Sequence, residues 1–433
     1  MNIQLELPLF DNIETSSSSC SKLANLSTFF ENMQLPVHRW FRYSAGFSSQ
    51  WVDQVIKTSK NQNKITLLDP FAGSGTTLLV AEQNEVECYG IEAHPFIFRI
   101  AKAKLLYHTQ PELYLQHINK IKNYANSIKG YTEQYPPLIQ KCFTDDSLEY
   151  LDRLRRAWEY FNDDSSQSQL AWLTLIAILR SISHVGTAPW QYILPNKLKK
   201  NPLKPDLAFE LMANHIAGDM KLGKNQGRYP SNLIFSDART CLGVPDNSIN
   251  LVITSPPYAN NYDYADATRL EMCFMGEIND WGDLQKSVRQ YLIRSCSQHV
   301  THKTVNLEEI LQSDEILPIQ SEIATICHQL YETRQHHGGR KNYHLMIACY
   351  FLDMAKVWYS LRRVCQSNST IAFVIGDSAP YGIYVPVIEW LGCLAESAGF
   401  SQWKFEKTRD RNTKWKNRKH QVPLCEGVLW VYG

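Results

Sequence analysis

The chain has 433 residues, of which 44% are hydrophobic and 20% charged, and its formal net charge is +1. Such a composition is typical of a globular protein with a substantial core, and the length allows one large domain with insertions or two to three smaller domains. No run of about 18 or more apolar residues occurs and the N-terminus lacks a signal-peptide pattern, so we expect a cytoplasmic protein without a membrane span.

Eleven cysteines are scattered along the chain. They form no CxxC pair and no Cys/His spacing typical of zinc. Because there is no secretory signal, we expect reduced thiols in the core and no metal site.

Residues 1–25 are predicted to be a flexible tail, because a short apolar stretch precedes four serines at 16–19. The segment at 4–10 resembles the short peptides by which bacterial proteins bind the replication sliding clamp. A strand that packs on the domain is the alternative. The clamp contacts would be Gln4, Leu7, Leu9 and Phe10.

A β-prone segment that ends at Asp69 leads through Gly73 and Gly75 into a predicted helix, and the next predicted strand ends at Glu92. This order is typical of a doubly wound parallel sheet, in which ligands bind at the carboxyl ends of the strands. The glycine spacing matches neither a dinucleotide fingerprint nor a P-loop. A carboxylate at Asp69 suits an amino group better than a phosphate, and Glu92 is placed to accept from ribose hydroxyls. The pair therefore predicts a cationic nucleoside without phosphate as the ligand.

The alternation of strands and helices along the chain predicts a single α/β sheet interrupted by two helical insertions. The predicted strands lie at 64–69, 87–91, 231–235, 249–253, 370–375, 402–407 and 427–432. We assign 26–109, 230–264 and 363–433 to the sheet domain, 110–229 to the first insertion and 265–362 to the second.

The strand predicted at 249–253 ends in Thr254-Ser255-Pro256-Pro257-Tyr258. A Pro-Pro turn is rigid, and prolines donate no amide hydrogen, so the carbonyls around them are free to accept. The Ser255 oxygen and the Pro256 carbonyl could accept the two hydrogens of an exocyclic base amine while Tyr258 stacks on the ring. For this motif alone, an ordinary strand-ending turn with a core tyrosine is the alternative.

Together, DPFAGSGTT at 69–77 and TSPPY at 254–258 resemble the signature motifs of the DNA amino-methyltransferases, which methylate N4 of cytosine or N6 of adenine. Residues 235–239 resemble the family's third strand, and 39–48 its segment near the methionine moiety. The resemblance covers about half of the chain. It implies a Rossmann-like S-adenosylmethionine-dependent fold, with a mostly parallel sheet and a C-terminal antiparallel hairpin. It assigns to the cofactor Phe47, Asp69, Phe71, Gly73, Gly75, Glu92 and Asp237, and to catalysis Ser255, Pro256, Pro257 and Tyr258.

The resemblance further implies a site-specific enzyme of a restriction-modification system that flips its target base out of duplex DNA, with a cognate restriction endonuclease as partner. Ser255 stands where adenine enzymes of the family usually carry Asp or Asn, so the sequence favours N4 of cytosine over N6 of adenine. The absence of a Pro-Cys dipeptide argues against methylation of cytosine C5. An RNA or protein-amide methyltransferase and a cofactor-binding module without catalysis are the remaining alternatives.

Basic residues concentrate in two stretches that could contact phosphates, although a solvated face is the alternative for any such run. One follows residue 196 and includes Lys199 and Lys200, and the other includes Arg411, Lys416 and Arg418. We prefer 110–229 as the target-recognition region because it contains the first of these stretches.

Overall fold

A seven-stranded sheet forms the centre of the computed structural model, which describes residues 31–60, 64–188, 191–223, 229–300, 303, 305–411 and 422–433. Its order is β5-β2-β1-β6-β7-β9-β8, and β3 and β4 form a separate hairpin. The strands are β1 (Thr66–Asp69), β2 (Glu87–Glu92), β3 (Val185–Thr187), β4 (Ile193–Leu198), β5 (Asn232–Phe235), β6 (Ile249–Thr254), β7 (Cys365–Gly376), β8 (Gln402–Arg411) and β9 (Leu424–Tyr432).

The five strands from β5 to β7 in this order pair in parallel, and β9 and β8 continue the sheet in antiparallel. This arrangement confirms the predicted α/β fold with a C-terminal antiparallel hairpin. Strands β1 and β6 are short apolar runs because both faces of a parallel sheet are covered by helices. Their carboxyl ends therefore lie side by side at one edge.

Helices cover both faces of the sheet and build the segments between its strands. The α-helices of the described residues are Ser49–Lys60, Thr76–Gln83, Pro95–Lys104, Pro111–Ser127, Pro137–Cys142, Asp145–Phe161, Ser166–Ile182, Pro205–Gly223, Arg269–Met275, Leu284–Ser287, Leu307–Leu311, Gln320–Arg334, Tyr343–Val364 and Val387–Ser397. Among the described residues, none of these helices combines the length and apolar character that a membrane crossing requires.

The segment 110–229 has its own helical core, which is continuous with the helix Pro95–Lys104. Phe96 contacts Trp172 edge to face, with ring centroids 5.3 Å apart. We predicted only helices in this segment, but the structure also contains the β3–β4 hairpin. The hairpin escaped prediction because its strands are short and β4 alternates weakly, with four exposed residues in succession.

The helix Tyr343–Val364 is buried along almost its whole length. It packs directly on the central sheet, where Trp358 stacks on Phe373 of β7 with ring centroids 4.6 Å apart. A helix that is apolar on all sides is expected only where other elements surround it. Here the sheet and the helix Val387–Ser397 do so, through contacts such as Phe351 with Trp390 at 4.9 Å.

Candidate functional site

A cavity opens at the carboxyl edge of the parallel strands, where the loops after β1, β2, β5 and β6 meet. The glycine-rich loop and the Pro-Pro turn, which carry the two signature-like motifs, both line it. Its wall includes Tyr43, Gly46, Phe47, Phe71, Gly73, Ser74, Glu92, His94, Asp237, Ser255, Pro257, Tyr264, Tyr291, Leu292 and Ile293.

The loop after β1 needs its glycines. Gly73 has φ +52° and Gly75 has φ +89°, a region that residues with a Cβ atom rarely adopt. A Cβ at Gly73 would lie 3.2 Å from Cε1 of Tyr43, so the tyrosine ring packs directly on the loop backbone. The loop leads into the N-terminus of the helix Thr76–Gln83, and its residues 70–74 line the cavity.

Glu92, at the end of β2, is 9% exposed and lines the cavity. Its carboxylate accepts hydrogen bonds from the backbone N–H of Gly73 at 2.8 Å and of His94 at 2.7 Å. Burial raises the pKa of Glu92 to about 7, although these amides lower it. The carboxylate retains lone pairs that are able to accept from further donors, such as the two hydroxyls of a ribose.

Asp69 is fully buried and lies beneath the cavity rather than on its wall. Its Oδ1 accepts from the Phe71 amide at 3.0 Å and from the Thr254 hydroxyl at 2.6 Å. Burial raises the pKa of Asp69 to about 6, although these groups and the Thr77 hydroxyl lower it. The carboxyl group thus joins the glycine-rich loop to the residue that precedes Ser255.

The Ser255 hydroxyl donates its hydrogen to the backbone carbonyl of Val374 on β7, at 3.2 Å. A hydroxyl has one hydrogen and two lone pairs, so the oxygen remains available only as an acceptor. Pro257 lies on the cavity wall beside it. Tyr258 is not among the wall residues and is 9% exposed. Burial, with a contribution from Glu426, raises the pKa of the Tyr258 phenol well above its ordinary value, so the ring stays neutral.

Asp237 follows β5, an edge strand of the sheet, and lines the cavity at that end. Arg239 donates to both of its carboxylate oxygens, with Nη2 to Oδ2 at 2.5 Å and Nε to Oδ1 at 3.0 Å. The same guanidinium lies 3.4 Å from the fully buried Asp353, which also pairs with Arg294 at 2.6 Å. This network fixes the loop that carries the next group of wall residues.

That group, Tyr291 to Ile293, was missed by the sequence analysis. The three residues lie in the predicted second insertion and carry no local motif, so only the tertiary structure brings them to the cavity. Tyr43 was also missed as a wall residue, although it lies within the segment 39–48 that resembles the family's segment near the methionine moiety. Tyr264, in the polar and aromatic segment that follows the Pro-Pro turn, also lies on the wall. The position of that segment after the turn indicates a pocket-lining loop, with a packed loop as the alternative.

Three buried side chains hold the segment 37–44, which carries Tyr43. Asp219, from the helix Pro205–Gly223, accepts hydrogen bonds from the Val37 amide at 3.1 Å, the Trp40 indole at 2.9 Å and the Arg39 guanidinium at 2.5 Å. Gln191 forms hydrogen bonds with the backbone of Arg42 and Ser44. Lys104 donates a hydrogen bond to the backbone carbonyl of His38. Two of the three holding residues, Asp219 and Gln191, come from 110–229. This segment therefore supports the cofactor side of the cavity.

The predicted DNA-contacting residues have different surroundings. Lys199 and Lys200 are exposed just after β4. Arg411 instead turns inward, with its guanidinium carbon 5.1 Å from the centroid of the Tyr258 ring. The remaining predicted contacts lie outside the described residues: Lys416 and Arg418 for DNA, and Gln4, Leu7, Leu9 and Phe10 for the sliding clamp.

Within the described residues, Asp263, Cys296 and His299 bring ligand atoms within 4.8 Å of one another. Asp263 is already paired with the buried guanidinium of Arg289, at 2.5 Å. Although burial opposes it, hydrogen bonds from His299 and Arg289 lower the pKa of Asp263 to about 2. A cation placed here would face the guanidinium, so the cluster acts as an ion pair that fixes the loop after Tyr258.

Residues 11–103 match the model of the N6/N4 methyltransferase family, whose description is DNA methylase. The chain is 26% identical to the type II methyltransferase M.BsoBI of Geobacillus stearothermophilus, over 89% of this chain and 83% of the relative. It is also 26% identical to the type II methyltransferase M.AvaI of a Nostoc species, over 92% of this chain and 86% of the relative. M.MjaII of Methanocaldococcus jannaschii is 32% identical over 24% of this chain and 21% of that protein. No solved structure gave a significant match.

Proposed function

The chain belongs to the DNA amino-methyltransferase family, and from this premise we propose that it transfers a methyl group from S-adenosylmethionine to N4 of cytosine in duplex DNA. The observation that carries the proposal is that the glycine-rich loop and the Ser255 turn line the same cavity. A donor on the first and an acceptor on the second would meet in one space.

The residues on the cofactor side fit S-adenosylmethionine. Glu92 suits the ribose hydroxyls, and the glycine-rich loop, which lines the cavity without a side chain at Gly73, would lie along the methionine part. Asp237 and the wall at 291–293 enclose the side on which the resemblance puts the adenine. When bound, this cofactor supplies a methyl carbon made electrophilic by its sulfonium.

The acceptor side fits an exocyclic amine. Because the Ser255 hydrogen is donated to Val374, the oxygen that remains accepts an N–H rather than donating to a carbonyl. The Pro256 carbonyl would accept the second hydrogen of the amine, and Tyr258 would stack on the base. Such contacts hold the nitrogen at near-attack distance, which is the main source of rate that we propose. The nitrogen loses a proton only after it has been methylated, so no strong general base is required.

Cytosine is the proposed base because Ser255 stands where the adenine enzymes of the family usually carry Asp or Asn. The amine of a base stacked and paired inside a duplex cannot reach this cavity, so we propose base flipping. The exposed Lys199 and Lys200 on the segment 110–229 support the proposal that this segment contacts the DNA backbone.

The experiment is expression in a host that lacks DNA methyltransferases, followed by digestion of the DNA and identification of the modified nucleoside by mass. We expect N4-methyldeoxycytidine with the wild type and none with Ser255→Ala. Ser401→Ala is a matched control, because this exposed hydroxyl also donates to a backbone carbonyl, that of Tyr432, at 3.0 Å. N6-methyldeoxyadenosine in place of the cytosine product would overturn the assigned base. Unmodified DNA with the wild type would overturn the proposed function.

A further inference from the structure

The side chain of Arg411 reaches past two neighbouring strands of the sheet. Arg411 ends β8, whereas Tyr258 follows β6, and β9 and β7 lie between these strands. Its guanidinium carbon nevertheless lies 5.1 Å from the centroid of the Tyr258 ring. The path crosses the end of β7 at Gly376, where an added Cβ would be 2.9 Å from Cδ of Arg411. A glycine at this position is what lets the side chain pass.

The guanidinium is also held from other directions. Its Nη1 donates to the backbone carbonyl of Asp377 at 2.7 Å, and its Nε lies 3.7 Å from Oε2 of Glu426. Glu426 is 3% exposed and pairs through its other oxygen with Arg409 at 2.8 Å. The Arg411 side chain is only 22% exposed. A cation held in this way is poorly placed to extend toward a DNA phosphate, which is the role that the sequence had indicated.

We propose that Arg411 is a positioning residue, which holds the Tyr258 ring in the orientation that the target base requires for stacking. The inference rests on the proposed function, because it assumes that a base stacks on this ring. A guanidinium over an aromatic face is attracted by the ring quadrupole, and this attraction opposes tilting of the ring. A small tilt would move the target amine away from its attack position, and methyl transfer is sensitive to such displacements.

The test compares Arg411→Gln and Arg411→Lys with the wild type in single-turnover methylation of saturating unmethylated bacteriophage DNA. We expect Arg411→Gln to lower the rate constant by about tenfold. Arg411→Lys should recover part of the loss, because it keeps the charge but not the planar fork. The KM for DNA, its salt dependence and the dissociation constant for S-adenosylhomocysteine should stay within twofold of the wild type. Lys407→Gln is the control, because Lys407 is an exposed cation on the same strand, paired only with Asp410 in the described residues.

Two results would overturn the inference. A higher KM and a smaller salt dependence, with an unchanged rate at saturating DNA, would assign Arg411 to phosphate contact. A rate that falls equally in the Gln and Lys variants, together with a lower melting temperature, would assign it to stability alone. Absence of methylation by the wild type would instead contradict the proposed function, so the two failures are distinguishable.

Discussion

Asp219→Ala should weaken both the fold and cofactor binding, although Asp219 does not line the cavity. The side chain is 1% exposed and accepts four hydrogen bonds, from Val37, Trp40 and two nitrogens of Arg39. Removing it leaves a guanidinium without its carboxylate and two N–H groups without acceptors. Loss of one partner from a buried ion pair costs about 3–5 kcal/mol. Because the Arg39 side chain is 27% exposed and water can reach it, we expect the lower end, about 3 kcal/mol.

For a chain of 433 residues, an unfolding entropy of about 2 cal/mol/K per residue converts this loss into a fall in melting temperature of about 3 °C. The segment 37–44 would lose its main anchor, so Tyr43 would no longer be held over the glycine-rich loop. The dissociation constant for S-adenosylhomocysteine should therefore rise by about tenfold, a coupling of about 1.4 kcal/mol.

The assay is thermal unfolding without ligand, followed by calorimetric titration with S-adenosylhomocysteine at a temperature where the variant is folded. Asp246→Ala is the matched control: this carboxylate is 69% exposed and pairs with Arg363 at the surface, so its loss should cost less than about 1 kcal/mol. If the two variants lost the same stability and bound the ligand equally well, the reasoning about the segment 37–44 would be wrong.

Burial holds the pKa of Glu92 at about 7 against an ordinary 4.5, so the native state binds this proton more tightly than the unfolded state. The free energy of unfolding should therefore fall by about 2.5 kcal/mol as pH rises from 5 to 8. Urea unfolding of Glu92→Gln without ligand should show a smaller fall, and an unchanged pH dependence would contradict this. Gly73→Ala should lower the free energy of unfolding by about 1–2 kcal/mol and weaken S-adenosylhomocysteine binding, because the residue has a positive φ. Gly218→Ala, on an open helix face, should instead stabilise the protein. Equal melting temperatures of the two variants would refute the contrast. Replacing Lys199 and Lys200 together by Gln should reduce the slope of log affinity for DNA against log salt by about 2, as measured by fluorescence anisotropy, and an unchanged slope would remove both from the interface.

Local patterns predicted the centre of the fold because each of its signals is short. The run that ends at Asp69, the glycines after it and the apolar strand before Ser255 each specify one turn or one strand. The rule that the carboxyl ends of parallel strands share an edge then brings the two motifs together. The cavity lined by both Gly73 and Ser255 follows from that rule.

The supports of the site were not predictable in this way. Asp219 acts on Arg39 across 180 residues of sequence, and Gln191 acts on Arg42 across 149. Neither has a neighbouring pattern that names its partner, and a polar residue in an amphipathic helix is ordinarily solvated. The inward direction of Arg411 was equally hidden, because it depends on the empty space above a glycine of another strand.

The pairing of β1 with β6 has a consequence for biosynthesis. Thr66 and Asn250, which bond at 2.9 Å at the start of this pair, are 184 residues apart. At about 5–20 residues per second, a ribosome needs about 10–40 s to supply the second strand. During that time one edge of β1 has unpaired backbone N–H and C=O groups, and such edges are prone to pair with other chains. We therefore expect the nascent chain to be most prone to aggregation before β6 emerges.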